Sequence, residues 1–172
     1  MPWPRLPIAL LLCVALGLTV AACGGGDDED DEGVQVLPDS SCGELEYGGE
    51  DEADVLIASD LPMQGDSAER STQMVDAIRL VLEDAEWKAG DTNVAFQACD
   101  DSIASTGEWD EDQCEQNANA YADNPDVVGV VGTYNSGCAA IEIPILNEAP
   151  DGGVAMVSPG NTLICLTQDS PS

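Results

Sequence analysis

The chain has 172 residues, enough for one ordinary domain with a core, and 34 Asp and Glu against four Lys and Arg give it a formal charge of −30. Such a field excludes nucleic-acid binding and opposes docking on an anionic membrane surface. The acidic excess also suits a surface that works in high salt, which is independent of any ligand.

Residues 1–22 carry one positive charge, Arg5, followed by an apolar run from Leu6 to Ala22. An apolar core of this length before small residues reads as a secretory signal, with an uncleaved membrane anchor as the alternative. The run ends Val20-Ala21-Ala22-Cys23, which resembles the lipobox of bacterial lipoproteins, so Cys23 is the expected lipidation site and new N-terminus. Residues 23–52, which include Asp27-Asp-Glu-Asp-Asp-Glu32, read as an acidic disordered tether, because clustered like charge with little apolar content does not order itself. The acidic run lacks the ligand spacing and glycine of an EF-hand, so a solvated spacer is favoured over a calcium loop.

The regular elements begin at Ala53-Asp-Val-Leu-Ile-Ala-Ser59, a short apolar strand, followed by the turn-rich Asp60-Leu-Pro-Met-Gln-Gly65. Asp66 and Glu69 fit a capping box. Met74, Ala77, Ile78, Val81, Leu82 and Ala85 then repeat at helical spacing, predicting a helix over 67–86 that Gly90-Asp91 ends. Asn93-Val-Ala-Phe-Gln-Ala-Cys99 is a second strand, leading into Asp100-Asp101-Ser102. A second capping box, Ser105 with Glu108, opens a helix carrying Trp109, Cys114, Ala118, Tyr121 and Ala122, stopped by Asn124-Pro125. Val127 to Val131 is a third strand, buried on both faces by its composition. The turn Thr133-Tyr-Asn-Ser-Gly137 delivers the chain onto a helix from Cys138 to about Glu148, with a kink or shortening expected at Pro144. Gly153 to Val157 is a fourth strand, and Ser158-Pro-Gly-Asn-Thr162 the loop after it.

This alternation predicts an α/β fold with a parallel, doubly wound sheet and helices on both faces. Ligands of such sheets bind beyond the carboxyl ends of the strands, where the loops 62–67, 133–138 and 158–162 converge. The turn at 133–138 also places free N–H groups and a helix dipole where a carboxylate can bind.

Seven cysteines in an exported chain point to disulfides. Cys13 leaves with the signal and Cys23 takes lipid, leaving Cys42, Cys99, Cys114, Cys138 and Cys165. Spacing does not assign their connectivity; Cys99 with Cys114 is the preferred local pair, and the odd count leaves a free thiol or an external partner. With no His and no Cys-x-x-Cys, no metal and no cofactor are expected. An enzyme on this sheet is disfavoured, because there is no His for acid–base work, no Gly-x-Ser-x-Gly elbow and no Gly-x-Gly-x-x-Gly after the first strand.

Leu61-Pro62 with Gly65, Cys99-Asp100-Asp101, Val130-Val-Gly132 through Ser136, and Met156-Val-Ser-Pro159 with Asn161-Thr162 fall in order after the four strands. In this they resemble the first lobe of type I periplasmic binding proteins, specifically the leucine/isoleucine/valine-binding receptors of ABC importers. The resemblance covers about two-thirds of the chain, from Asp54 to Thr167. It implies an extracytoplasmic, lipid-anchored solute-binding protein that takes amino acids or similar small polar solutes and passes them to an ABC permease, or a receptor of the same fold that senses without transport. It also implies that Ser136, Gly137 and Cys138 hold a ligand carboxylate, and that Asn161 and Thr162 contact the carboxylate or ammonium. Met63-Gln64 stands where the family often has an aromatic residue, and Cys138 where it often has Ser. If Cys138 is oxidised to Cys99 or Cys165, it becomes scaffold. A complete member closes a second lobe over the ligand, so residues 53–172 are expected to form a partial lobe, a fragment offering half a cleft.

Overall fold

The computed structural model describes residues 33–167. Strand β1 (Val55–Leu61) passes through a 3₁₀ turn (Gly65–Ser67) into helix α1 (Ala68–Asp84). Strands β2 (Lys88–Ala89) and β3 (Thr92–Asp100) form a hairpin, and the two-residue strands β4 (Ser102–Ile103) and β5 (Glu108–Trp109) form another. Helix α2 (Glu111–Ala122), strand β6 (Val127–Gly132), helix α3 (Ser136–Asn147) and strand β7 (Ala155–Val157) complete the alternation.

The main sheet is ordered β2-β3-β1-β6-β7, with β3, β1, β6 and β7 parallel and β2 an antiparallel edge. Alternating side chains divide it into two faces. Leu61, Val94 and Phe96 pack against Val75 and Leu82 of α1. Leu56, Ala58, Ala95, Val127 and Val130 pack against Tyr121 of α2 and Leu146 of α3. The chain leaves β1 toward β3 and then crosses back to β6, so the topological switch lies between β1 and β6. The loops after those strands line it.

Two expected capping boxes do not form. Helix α1 follows the 3₁₀ turn and has Ser67 at its N-cap with no side-chain hydrogen bond. Helix α2 starts after Asp110, whose Oδ1 accepts from the N–H groups of Asp112 (3.1 Å) and Gln113 (3.2 Å). Ser105 therefore lies in the β4–β5 hairpin loop, and Trp109 is in a strand rather than the helix. Gly90, at φ 67°, shapes the β2–β3 turn instead of ending α1.

The expected tether 23–52 also changes. Its first ten residues, the signal 1–22 and Cys23 lie outside the described residues, but from Val34 the chain packs on the sheet. Leu37 is 3% and Cys42 7% exposed, both within the core that holds Leu56 and Tyr121. Buried Gln97 on β3 accepts from Leu37 N–H (2.8 Å) and donates to the carbonyls of Leu37 (3.2 Å) and Gly43 (2.7 Å). Arg79 of α1 grips Glu46 through two 2.7 Å bonds. The acidic run 27–32 before it had hidden this segment, whose apolar residues are supported by a covalent tie.

That tie is the disulfide Cys42–Cys99; a second joins Cys114 to Cys138. The expected Cys99–Cys114 pair is therefore incorrect. Cys99 faces Cys42 directly across an antiparallel bridge, whereas Cys114 on α2 meets the first turn of α3. Cys165 is exposed and has no disulfide partner among the described residues.

Candidate functional site

The three polar loops sit together at the carboxyl edge of the sheet, two of them joined by hydrogen bonds. Ser158 Oγ donates to the Thr133 carbonyl (2.7 Å) and accepts from Gly160 (3.1 Å) and Asn161 (2.9 Å) N–H groups. Ser136 Oγ accepts from the N–H groups of Thr162 (3.1 Å) and Leu163 (3.3 Å). The loop after β1 is held from the other side: Asp100 accepts from Met63 N–H and from the Gln64 side chain, each at 2.9 Å. Gly65 and Gly107 touch backbone to backbone, both at positive φ; a Cβ on Gly65 would lie 2.2 Å from the Gly107 carbonyl oxygen. Only glycine fits that crossing.

Of the five residues expected to meet a ligand, Ser136, Gly137 and Cys138 form the first turn of α3, and Asn161 and Thr162 lie beside them. The Asn135 side chain does not cap the helix. The first N–H groups thus face the loop edge without a side-chain acceptor, at the positive end of the helix dipole. Ser136 Oγ already accepts two backbone N–H groups and keeps its own proton free to donate. Asn161 is partly buried and its Oδ1 has no partner; Thr162 is exposed. Cys138 is fully buried and oxidised, so it offers its backbone and not a thiol. Gly137 has a structural reason of its own: a Cβ there would meet the Trp109 ring at 2.4 Å.

Sequence reasoning missed two features. Arg70 of α1 reaches across to Tyr134, donating to its hydroxyl and lying 5.5 Å from its ring centroid, which places a positive charge at the loop edge. Beneath the loops lies a buried polar layer. Asp60 falls on the same face of β1 as Leu56 and Ala58 and is fully buried, as are Asp101, Tyr121 and Glu142. Asn117, also buried, donates to Asp60 Oδ1 (2.9 Å) and the Asp100 carbonyl (3.0 Å). Burial, reinforced by contact with Asp60 and the charges of Asp60 and Asp101, pushes the Glu142 carboxyl up to about 12. Burial and then the charges of Asp60 and Asp100 push Asp101 up to about 8. Asp60 is raised too, burial outweighing the opposing contacts of Glu142, Asn117 and Tyr121. The available signal was a charged residue at an apolar position: Glu142 inside Cys138-Ala-Ala-Ile-Glu-Ile-Pro-Ile-Leu146.

No family model matches the sequence, and no curated protein matches it. Solved structures do. A leucine-binding protein, LivK, from Thermotoga maritima superposes with a TM-score of 0.56 at 23% identity over 67% of this chain and 30% of its own. The branched-chain amino acid transporter substrate-binding protein LivJ from Streptococcus pneumoniae, solved with isoleucine, gives 0.52 at 18% identity over 65% of this chain and 30% of its own. The fold is that of a type I periplasmic-binding-protein lobe. The chain spans about 30% of the length of these proteins.

Proposed function

We propose that the chain supplies one wall of the ligand cleft of an extracytoplasmic solute-binding lipoprotein, anchored through Cys23, that delivers amino acids or similar small polar solutes to an ABC permease. The observation that carries this reading is the uncapped N-terminus of α3 at the switch between β1 and β6. The N–H groups of Ser136, Gly137 and Cys138 and the Ser136 hydroxyl converge there on a place suited to a carboxylate. Asn161, with an unpartnered amide oxygen, suits the ammonium of the same solute, and the exposed Thr162 stands at the rim. The carboxylate is held by dipoles and not by a buried cation, so the preference for one amino acid depends on the surfaces that receive its side chain. That the similar structures include a leucine-binding protein and one holding isoleucine favours aliphatic amino acids as the first panel to try.

A thermal-shift panel tests the proposal: amino acids raise the melting temperature, and Ser136→Ala reduces the shift. An unchanged melting temperature with every amino acid, amide and small carboxylate contradicts it. The second reading, a receptor that senses without transport, shares this site. Co-purification with a permease separates the two.

A further inference from the structure

Taking the solute reading as given, we infer that Arg70, seated on Tyr134, is a second anion anchor of the cleft. The solute class it selects carries a carboxylate at each end: an acidic amino acid or a similar small dicarboxylate.

Three basic side chains fall within the described residues, Arg70, Arg79 and Lys88, in a chain with 34 Asp and Glu. Arg79 is taken by Glu46 and Asp76. Lys88 lies exposed on β2, at the opposite edge of the sheet from β7. Arg70 stands at the loop edge, and among the described residues no carboxylate forms an ion pair with it. Glu69, beside it on α1, accepts from Gln73 at 3.5 Å instead. Arg70 also occupies the first turn of α1, where the helix dipole disfavours a cation, so helix stability does not account for its place.

What holds Arg70 is Tyr134. The guanidinium donates to the Tyr134 hydroxyl and lies 5.5 Å from the ring centroid. The ring is itself fixed. It packs on the sheet face that holds Leu61 and Phe96, and a Cβ on Gly160 would lie 2.8 Å from its Cδ2. Tyr134 thus joins the first turn of α1, through Arg70, to the loop after β7, through Gly160. It precedes Ser136 by two residues, a span of at most about 7 Å of backbone, so the Arg70 seat and the N–H groups of α3 share one edge.

The two anchors differ in kind. The α3 turn offers dipoles to one carboxylate, and Arg70 offers a full charge to another. With one N–H on Tyr134, most of the guanidinium donors remain for a carboxylate, which can take two of them side by side. A neutral amide of the same shape accepts through a single oxygen and gains no charge assistance. The field of a chain at −30 opposes any anion, and a fixed cation at the rim offsets it locally.

Calorimetric titration with glutamate, glutamine and leucine tests this. Wild type is expected to bind glutamate about tenfold more tightly than glutamine. Arg70→Gln, at an exposed position that leaves the core intact, abolishes this ratio, and Tyr134→Phe, which keeps the ring but not the hydroxyl, lowers it. Lys88→Gln removes a cation remote from the edge and keeps the ratio. Glutamate binding no tighter than glutamine, or a ratio unchanged in Arg70→Gln, would overturn the inference while leucine binding leaves the solute reading standing. Absence of binding by all three amino acids would overturn both.

Discussion

Helix α3 carries two polar sites six residues apart that differ in almost every respect. At its first turn, Ser136 is part-exposed, its partners are backbone groups of the loop after β7, and the first N–H groups have no side-chain cap. One and a half turns further, Glu142 is fully buried beside Asp60, Asp101 and Tyr121, with no basic partner among the described residues. The first is cheap to form and available to a ligand; the second costs desolvation and is committed to the interior. Cys138 lies between them, so the Cys114–Cys138 bond fixes both against α2.

Removing that bond disturbs both sites at once. Cys114→Ser with Cys138→Ser should cost about 3–4 kcal/mol of unfolding free energy, from the loop-closure entropy of a cross-link across 24 positions. Denaturant titration measures it. The same treatment of Cys42 and Cys99, which span 57 positions, should cost about 4 kcal/mol and release the 34–46 segment, with the α3 turn kept in place. Equal loss of the α3 turn in both variants would break the comparison.

The buried site should also be the pH-sensitive one. Glu142 and Asp101 keep their protons when folded, up to about 12 and about 8, but lose them near 4 when unfolded. Folding therefore takes up protons over this window, so the stability they contribute is present in acid and is lost as pH rises from about 4 through 8 for Asp101. Asp101→Asn should flatten that slope, whereas Ser136→Ala should leave it unchanged. Chemical denaturation at several pH values checks both.

Gly137→Ala should cost about 1–3 kcal/mol, because the new methyl must displace the Trp109 ring. Ser136→Ala is the mildest: losing the acceptor of two exposed N–H groups should cost about 1 kcal/mol, while solute binding weakens by more than that loss of stability suggests. A Ser136→Ala protein with unaltered solute response would separate the hydroxyl from the site.

The alternation of strands and helices was legible because each main strand is a short apolar run and each helix has a periodic stripe. The expected parallel, doubly wound sheet is the one found. Local signals misled where a tertiary contact overrode them. Ser105 and Glu108 have the spacing of a capping box, but the hairpin that seats Trp109 on Gly137 takes those residues, and Asp110 caps the helix instead. Val34 to Glu46 looked disordered because it continues from the acidic run without strand or helix periodicity, while Gln97 and Cys99, far along the chain, supply its anchors. The site turn could be read from Thr133-Tyr-Asn-Ser-Gly137 because helix starts have local chemistry. The Asp60–Glu142 cluster could not, since it exists only where β1 meets α3.

The most direct test of the proposed carboxylate site is a nuclear magnetic resonance titration of the isotope-labelled chain, following the backbone amides of Ser136, Gly137 and Cys138. Leucine and isovalerate should shift all three saturably, and isoamylamine, which has the same aliphatic body without the carboxylate, should leave them in place. Amides unmoved by either carboxylate, or moved equally by the amine, would contradict the account.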